Sequence, residues 1–475
     1  MTQDAGRAGV ALQEPPPQRQ ESGRGTVPAP IPRPPRCPRW PAPAQLLPWL
    51  DAGALVLVLT PGGGGPLAGL LAAGCAAAVH AGAGLHRPRL TRSVLDDLPA
   101  LLGGAVTGAA VATLLAAPPS PLRPLLGLSV AAAVVLLVLR LVAEPLERRH
   151  RRRGPGCPTL IIGTAALGAE LGRVLLADPR YGLRPVAYLD EPPAAARREL
   201  PAPLLGRGQD LGAVVEALRV RCVVVAFGAG RPAELVDLLR ANERHRLQVL
   251  YVPRFYEMSH VTRRTDAVAG IPLVRLPPAA RYRPGWRGKR ALDVVLALFG
   301  LALAAPVLAV CALALRWEGG PGVLFRQQRV GRDEQPFTLL KLRTLRPSSD
   351  WESRTRWSVA DDPRLGLVGK LLRAASLDEL PQLVNVLRGD MSMVGPRPER
   401  PFFVEEFSAR FPGYAARHRV PVGLTGWAAV NGLRGNTSIR TRADFDNSYI
   451  ENWSLWLDVK ILLRTVAAVL VRSGG

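Results

Sequence analysis

An adjacent pair of acidic residues, Asp378 and Glu379, is the first feature of this sequence that could carry out chemistry. A carboxylate is a competent nucleophile when a covalent intermediate divides one difficult step into two, and Mg²⁺ is commonly bound by one or two carboxylates together with substrate phosphates. Neighbouring residues of a helix point about 100° apart, so one carboxylate can face a phosphorus atom while the other binds the metal. Asp378 is therefore a candidate nucleophile, and Glu379 is a candidate ligand of Mg²⁺.

Basic residues on both sides of this pair could surround a pyrophosphate, because arginine gives bidentate contacts to phosphate oxygens. The candidates are Lys341, Arg343, Arg364, Arg373 and Arg397. A structural alternative remains open, because Ser376-Leu-Asp-Glu379 also has the pattern of a capping box before an apolar run. Asp378 would then only complement the helix dipole. The two interpretations are compatible, since the first turn of a helix is also where backbone N–H groups attract phosphate.

Four apolar stretches precede this region, at about 46–60, 64–83, 98–117 and 124–143. Most are close to the ~20 residues that a spanning helix needs, although the first is short and contains Asp51. The segments around them are basic, neutral, basic, nearly neutral and basic in turn, which is the positive-inside pattern for four spans with both ends in the cytoplasm. Buried helices of a soluble protein are the alternative, which the length of the stretches and their lack of polar faces disfavour. Residues 1–45, rich in Pro, Arg, Gln and Gly, are predicted to form a disordered tail.

Residues 155–278 alternate between short β-type runs and helical patterns, which predicts a small parallel α/β sheet. The predicted strands and helices are Thr159–Ile162, Ala166–Leu176, Arg184–Leu189, Cys222–Phe227, Ala233–Leu239 and Gln248–Val252. The first strand leads into Gly163-Thr-Ala-Ala-Leu-Gly168, which is not G-x-G-x-x-G and gives only a weak dinucleotide signal. A tight turn that binds nothing is an equal alternative.

A fifth apolar segment, Ala291–Leu315, is long enough to cross a bilayer, but basic residues flank both of its ends. Pro306 lies inside the segment, where it removes one backbone hydrogen bond and kinks the helix. We therefore predict a re-entrant helix that breaks at Pro306, enters the cytoplasmic leaflet and returns. An ordinary fifth span is the alternative, and it would place residues 316–475 outside the cell.

Ordered motifs run through the last part of the chain and together carry a resemblance to a known family. They are Lys289–Asp293, Phe325–Gly331, Lys341–Thr344, Ser376–Gln382, Gly389–Pro398, Arg417–Gly426, Asn431-Gly432 and Asp446–Asp458. On these motifs, residues 288–475 resemble the catalytic domain of bacterial polyprenyl-phosphate hexose-1-phosphate transferases, the monotopic phosphoglycosyl transferase superfamily. Residues 46–145 look like the four-helix transmembrane bundle of its long-form members, and residues 155–278 look like their Rossmann-like (CoA-binding-like) domain. The expected fold is an α plus α/β membrane protein with a mainly helical catalytic domain.

The resemblance implies a multi-pass enzyme of the inner (cytoplasmic) membrane, with its catalytic domain on the cytoplasmic face. It would transfer a hexose-1-phosphate from a UDP-sugar to undecaprenyl phosphate, through a covalent intermediate on Asp378. Glu379 would bind Mg²⁺, Lys341 and Arg373 would bind phosphate, and Arg397 would contact the nucleotide. Long-form relatives also indicate a homodimer. The chain departs from the family pattern at Ala305-Pro306, where Ser-Pro is usual, so it lacks the serine hydroxyl that could bind a carbonyl freed at the bend.

Three other functions agree less well with the sequence. A non-catalytic membrane scaffold or regulator of polysaccharide assembly is disfavoured by the intact acidic pair and its cations. A nucleotide-sugar-modifying enzyme built on residues 155–278 lacks a glycine fingerprint and a Tyr-x-x-x-Lys pair. A nucleic-acid binder is the third alternative, because the net charge of +23 attracts polyanions. The basic residues, however, flank apolar segments, and few aromatic residues lie between them. We therefore expect phosphorylated substrates and membrane lipids as partners, and no nucleic acid.

Overall fold

The computed structural model describes residues 42–62, 65–190, 200–205, 211–228, 232–258, 265–283, 285–346, 348–355, 362–433 and 437–473. The predicted disordered tail, residues 1–45, lies outside the described residues except for its last four, which begin the first helix.

The N-terminal part is a bundle of four apolar helices, in which each helix packs on two neighbours. The helices are α1 (Ala42–Leu59), α2 (Gly65–Gly82), α3 (Val94–Ala116) and α4 (Leu122–Arg153). Small residues such as Ala72, Ala76 and Ala105 fill the interior and allow the helices to approach closely. Large apolar side chains such as Leu57 and Leu114 are exposed on the outside. The four predicted apolar stretches are confirmed as helices, and small residues inside with large apolar residues outside are typical of membrane helix bundles.

Four helices in the described part of the chain are long and apolar enough to cross a membrane. Three of them are α2, α3 and α4, and the fourth is the later helix α8 (Trp286–Gly319). The apolar part of α1, Leu46–Leu59, is shorter. This agrees with the sequence, in which the first stretch is the short one.

Asp51, the charge that interrupts the first apolar stretch, is buried in the bundle and paired there. Arg140 of α4 and His86 of the α2–α3 loop both bind its Oδ2 atom, and His86 does so through Nε2 at 2.8 Å. Asp51, His80 and His86 present ligand-type atoms within 4.8 Å of one another. The guanidinium of Arg140 nevertheless neutralises Asp51 and opposes a second cation. We interpret the cluster as an internal ion pair that allows a charged residue inside the bundle.

The middle part of the chain is an α/β domain with one seven-stranded sheet. Its elements are β1 (Cys157–Ile162), α5 (Ala166–Ala177), β2 (Leu183–Leu189), β3 (Leu204–Leu205), α6 (Leu211–Ala217), β4 (Cys222–Val225), α7 (Pro232–Ala241), β5 (Gln248–Tyr251), β6 (Thr265–Val268) and β7 (Ile271–Arg275). The strand order is β3-β2-β1-β4-β5-β7-β6, and the first five strands in that order are parallel. The four predicted strands are confirmed, with bounds that differ by one or two residues.

The sheet is mixed, because the hairpin of β6 and β7 adds to β5 in antiparallel orientation. The prediction of a purely parallel sheet was therefore wrong at this edge. Ala269 and Gly270, which form the hairpin turn, both have positive φ, as tight hairpin turns require. Asp266 and Pro272 interrupt the alternation that normally reveals a strand. Asp266 is buried because it accepts a hydrogen bond from the backbone N–H of Leu90 at 2.6 Å.

The C-terminal part is mainly helical, as predicted, and has two small two-stranded sheets. After α8 come β8 (Leu324–Val330), β9 (Pro336–Leu342), α9 (Asp350–Thr355), α10 (Leu367–Ala374), α11 (Gln382–Arg388), β10 (Ser392–Val394), α12 (Pro401–Arg410), β11 (Gly423–Thr425), α13 (Trp427–Val430), α14 (Ile439–Glu451) and α15 (Leu455–Ser473). Strands β8 and β9 are antiparallel, whereas β10 and β11 are parallel.

Helix α8 continues through Pro306 from Trp286 to Gly319. The predicted break of the helix at Pro306 was therefore wrong. The proline ring removes only one backbone hydrogen bond, and the helical bonds on both sides of it persist.

Both ends of α8 contact the C-terminal part of the chain. Near its start, Lys289 donates a hydrogen bond to the carbonyl of Val394 at 2.8 Å and pairs with Asp458 at 2.9 Å. Near its end, Glu318 accepts a hydrogen bond from the backbone N–H of Val368 at 3.1 Å. The rest of the helix surface carries exposed apolar side chains, namely Val295, Leu298, Phe299, Leu303, Val310, Leu313 and Trp317. The helix is therefore packed on one side and apolar and exposed on the other.

Candidate active site

The acidic pair lies at a turn between two helices that pack on α8. Asp378 and Glu379 belong to a short 3₁₀-helix, Leu377–Glu379, between α10 and α11. Leu372 of α10 is buried with residues of the second half of α8, and Leu383 of α11 is buried against its middle. The apolar faces of α10 and α11 thus fix the turn that carries the two carboxylates.

Ser376 does not form the capping box that its sequence pattern allows. It has a left-handed conformation, with φ of 58°, and its side chain makes no capping hydrogen bond. An N-cap residue normally has extended backbone and accepts a hydrogen bond from an N–H two or three residues later. Helix α11 begins at Gln382, so Asp378 precedes it and lies outside its first turn. The capping-box alternative is therefore not observed.

Lys341, at the end of β9, is the cation closest to the acidic pair. Its Nζ donates a hydrogen bond to Glu379 Oε1 at 2.6 Å and lies 4.0 Å from Asp378 Oδ2. Arg397 approaches from the loop after β10, with Nη2 3.8 Å from the same Oε1 atom. The Arg397 side chain is 58% exposed, which leaves most of its guanidinium available to a ligand in solution.

The two carboxyl groups have opposite pKa shifts. Burial raises the pKa of Asp378, although Lys341 and Arg373 act against this effect. Burial also acts to raise the pKa of Glu379, but Lys341 and Arg397 outweigh it, and the pKa of Glu379 falls to about 2. Environments that push two neighbouring carboxyl groups apart in this way typically give them different chemical roles. Asp378 is the more basic of the two, and the cations around Glu379 favour its ionised form.

Arg373, on the last turn of α10, completes the group of cations. Its Nε donates a hydrogen bond to Thr344 Oγ1 at 2.8 Å. Burial lowers the pKa of its guanidinium, and the nearby Asp378 partly compensates. The structure thus brings Lys341, Arg373 and Arg397 together around Asp378 and Glu379.

Arg343 and Arg364 bind other segments of the chain. Arg343 donates hydrogen bonds to the carbonyl oxygens of Pro321 and Gly320, in the loop after α8. Arg364 donates hydrogen bonds to Asp362 and pairs with Glu352. These bonds hold the loops around the site, and a role of either arginine in binding phosphate stays a prediction.

Arg329 is a cation of this site to which the sequence analysis gave no role. It lies on β8, donates a hydrogen bond to the carbonyl of Pro398 at 3.1 Å and lies 3.6 Å from a carboxylate oxygen of Glu399. Burial lowers its pKa to about 10, and Glu399 and Glu379 act in the opposite direction. The motif Phe325–Gly331 contained it, but nothing in that motif distinguished Arg329 from the neighbouring Arg326. Arg329 fixes the segment that carries Arg397.

Asn385 of α11 fixes the strand that carries Lys341. Its Oδ1 accepts a hydrogen bond from the backbone N–H of Leu340 at 3.0 Å, and its Nδ2 donates to the carbonyl of Thr338 at 2.8 Å and to Asp390 at 3.0 Å. The side chain is fully buried. One amide therefore holds β9 against the helix that follows the acidic pair.

In the first β-to-α turn of the α/β domain, a carboxylate occupies one of the backbone donors. Asp190, at the end of β2, accepts hydrogen bonds from the backbone N–H of Thr164 at 2.9 Å and from its hydroxyl at 2.8 Å. Phosphate binds at such turns through free backbone N–H groups, and the Asp190 carboxylate both occupies this donor and repels an anion. The Asp190 carboxylate therefore occupies one backbone donor of this turn, and a CoA or dinucleotide site there stays untested.

Two family descriptions match the chain. Residues 285–472 match "Bacterial sugar transferase", and residues 125–253 match "CoA-binding domain". The first range contains all the residues of the candidate site. The second range covers the end of the bundle and most of the α/β domain, including the turn at Thr164.

Several curated proteins are similar to the chain. A UDP-glucose:undecaprenyl-phosphate glucose-1-phosphate transferase of Caulobacter vibrioides is 51% identical over 191 residues, which is 39% of this chain and 71% of the relative. A protein of the same name from Escherichia coli is 34% identical over 311 residues, 64% of this chain and 66% of the relative. A UDP-N-acetylgalactosamine-undecaprenyl-phosphate N-acetylgalactosaminephosphotransferase of Aeromonas hydrophila is 37% identical over 189 residues, 39% of this chain and 44% of the relative.

Proposed function

The chain belongs to the bacterial sugar transferase family and is a sugar-1-phosphate transferase, and on this basis we propose that it transfers a hexose-1-phosphate from a UDP-sugar to undecaprenyl phosphate. The observation that carries the proposal is the buried Asp378 beside an ionised Glu379, within a group of cations. The reaction is the first membrane step in the assembly of a glycan such as an exopolysaccharide.

In the first step, Asp378 acts as the nucleophile. A carboxylate oxygen of Asp378 forms a bond to the β-phosphorus of the UDP-sugar, and the bond from that phosphorus to the oxygen bridging the α-phosphate breaks. UMP leaves with that oxygen, and the sugar phosphate remains on Asp378. Lys341, Arg373 and Arg397 stabilise the negative charge on the phosphoryl oxygens, because preorganised cations act most strongly in a partly buried site.

In the second step, undecaprenyl phosphate takes the sugar phosphate from the enzyme. One of its phosphate oxygens attacks the phosphorus of the aspartyl intermediate, the bond to Asp378 breaks, and the lipid-linked diphosphate sugar leaves. The Asp378 carboxylate is restored, so that the same group serves in both steps.

Glu379 is the residue that would hold Mg²⁺. Its carboxylate is ionised and its side chain is 26% exposed, which suits an ion that retains water and binds substrate phosphates. Lys341 already contacts Glu379, and the surrounding arginines oppose a bare divalent ion. The site therefore fits Mg²⁺ only together with the pyrophosphate, whose charge the ion would neutralise.

We further propose that α8 lies in the cytoplasmic leaflet, with both of its ends on the cytoplasmic side of the membrane. Two contacts support this path: Lys289 near its start and Glu318 near its end both bind segments of the catalytic part. An unbroken helix rises about 1.5 Å per residue, so Lys289 and Glu318 lie on the order of 40 Å apart. The catalytic part contacts α8 near both of these ends and would itself have to cross the bilayer if α8 did. The exposed apolar face of α8 would lie in the cytoplasmic leaflet, where a lipid phosphate and a soluble nucleotide can meet.

Accessibility to a membrane-impermeant maleimide tests this topology. In a variant without native cysteines, Arg440→Cys, at an exposed position of α14, should react only after the cells are opened. Pro61→Cys, in the loop after α1, is the control and should react in intact cells. Labelling of position 440 from outside would show that α8 crosses the membrane.

Release of UMP from a panel of UDP-sugars tests the reaction itself. Purified full-length protein is incubated with undecaprenyl phosphate, Mg²⁺ and one donor at a time, beginning with UDP-glucose and UDP-N-acetylgalactosamine. We expect release from at least one donor, and a loss on the order of 10⁴-fold or more in Asp378→Asn. Glu379→Gln should also abolish transfer, while both variants still insert into the membrane. Full activity of Asp378→Asn would rule out the covalent mechanism, and inactivity of the wild-type protein with every donor would favour a scaffold.

A further inference from the structure

A cavity of about 50 Å³ lies where the bundle meets the α/β domain. It is lined by the α2–α3 loop, by the cytoplasmic end of α4 and by one residue of the α/β domain; the lining residues are Leu90, Thr91, Arg92, Glu144, Glu147, Arg148, Arg151 and Arg180. Four arginines face two glutamates, so the lining has a surplus of positive charge.

The most informative of these residues is Arg92. Its side chain is only 8% exposed, and its Nε lies 3.1 Å from Glu147 Oε2. Its Nη1, however, is buried without a hydrogen-bond partner. Glu147 is shared, because Arg151 also binds it. A buried guanidinium donor without an acceptor is costly, so an acceptor that enters the cavity would be bound favourably.

The rim of the cavity continues into an apolar surface that faces outward from the bundle. Leu141, Glu144 and Arg148 follow each other at intervals of three and four residues, so they lie on one face of α4. Leu141 is 56% exposed, and its apolar neighbour Val142 is 54% exposed. At the rim, the side chains of Arg148 and Arg180 are 57% and 47% exposed. An acyl chain along α4 would therefore bring its head group to the arginines.

We propose that this cavity binds the phosphodiester of an anionic phospholipid. The phosphate oxygens accept hydrogen bonds from Arg92. Arg148 and Arg180 contribute positive charge at the rim of the cavity. An acyl chain packs along Leu141 and Val142. Basic cavities at the cytoplasmic ends of membrane helices recognise anionic head groups in this way. The bound lipid joins the bundle to the α/β domain, since Arg180 belongs to the domain and Arg148 to the bundle.

Native mass spectrometry of the full-length protein in detergent tests the proposal. Phosphatidylglycerol is titrated against phosphatidylcholine with the same acyl chains. The variants are Arg148→Gln and Arg180→Gln, both at exposed positions that tolerate the loss of charge. Arg149→Gln is the matched control, because Arg149 is exposed on the same helix but does not line the cavity. We expect phosphatidylglycerol to bind about fivefold more weakly for each rim arginine removed, and unchanged binding in the control.

Two further probes separate the sources of the phosphate. Soluble glycerol phosphate should not compete at concentrations where phosphatidylglycerol saturates the site, because it lacks the acyl contact with α4. Equal competition by glycerol phosphate would overturn the lipid proposal in favour of a site for free phosphate. Stronger binding of undecaprenyl phosphate than of phosphatidylglycerol would reassign the cavity to the acceptor lipid. Equal binding of both phospholipids, or equal losses in all three variants, would show that no specific site exists.

Discussion

At the scale of single residues, the two neighbouring carboxyl groups of the acidic pair have opposite pKa shifts because their surroundings differ. Glu379 attracts the cations, since Lys341 contacts it at 2.6 Å and Arg397 approaches its Oε1 at 3.8 Å. Asp378 is more deeply buried, and its nearest oxygen lies 4.0 Å from Lys341. Burial without a close ion pair keeps Asp378 basic, which suits a nucleophile.

The pH dependence of transfer should report this burial. Asp378 must be ionised to attack phosphorus, and because burial raises its pKa, protonation removes the nucleophile at a pH above the ordinary aspartate value. Glu379, with a pKa of about 2, should not titrate in the working range. We expect kcat/KM, measured as UMP release, to fall on the acidic side at a pH above the ordinary aspartate value, because this ratio reports the free enzyme to which the raised pKa belongs. A profile that stays flat down to pH 4 would contradict a buried nucleophile.

The same burial predicts that Asp378→Asn does not destabilise the protein. Because the folded-state pKa of Asp378 is raised, its charged form costs stability at neutral pH, and the amide removes that cost. The melting temperature of the variant at pH 7 should equal or exceed that of the wild type. The difference should shrink as the pH falls through the raised pKa of Asp378, where the wild-type carboxyl becomes neutral. A variant that is clearly less stable at pH 7 would indicate a structural role for the carboxylate.

At the scale of elements, the site depends on the register between β9 and α11. Lys341 lies on the strand and the acidic pair precedes the helix, so their separation is set by whatever holds the two elements together. Asn385 does so, with one hydrogen bond to each of two strand residues, Leu340 and Thr338. Leu339 of β9 and Leu383 of α11 also pack in one buried cluster with Ala297 of α8.

Asn385→Ala should therefore reduce both stability and activity. The substitution leaves the buried N–H of Leu340 and carbonyl of Thr338 unsatisfied, at a cost of about 2–4 kcal/mol in the free energy of unfolding. We also expect a fall in kcat, because Lys341 loses its fixed distance to Glu379. Asn452→Ala is the matched control, since Asn452 is exposed and bonds only to the preceding turn through Ser448. Equal effects in both variants would show that contacts other than those of Asn385 hold β9 against α11.

At the scale of the whole molecule, the α/β domain connects the bundle to the catalytic part. On the bundle side, the side chain of Leu90 is buried in the core of the α/β domain, and its N–H binds Asp266. On the catalytic side, Arg240 of α7 pairs with Glu451 at 3.0 Å, and Arg419 pairs with Glu243 and Glu451. The α/β domain thus contacts both outer parts of the chain through buried and ion-paired residues.

Leu90→Ala should loosen the bundle from the α/β domain. Removing a fully buried leucine typically costs about 2–5 kcal/mol in the free energy of unfolding. Thermal unfolding in detergent should show a clear destabilisation, with increased proteolysis of the α2–α3 loop. Leu95→Ala, at a position 78% exposed near the start of α3, is the control and should change little. Catalysis by the protein that remains folded should be close to normal, because Leu90 packs in the core of the α/β domain and the acidic pair lies in the C-terminal part.

The sequence by itself determined the features that depend on local pattern. Apolar length predicted the helices of the bundle, and β-type runs between helical patterns predicted four strands, because burial imposes its period on consecutive residues. The motifs around Asp378, Glu379, Lys341, Arg373 and Arg397 were also readable, since the family resemblance is carried by short ordered segments. These residues proved to lie together.

Only the tertiary structure decided which charged groups meet. Arg343 and Arg364 have the same residue type as Arg373, yet they bind backbone carbonyls and acids elsewhere. The pairing of Asp51 with Arg140, the role of Arg329 and the hairpin beside β5 likewise join residues that are far apart in the chain or lack a local signal. The direction of a long side chain depends on which partner the fold brings within a few ångströms. That distance follows from the packing of whole elements, which a local pattern does not contain.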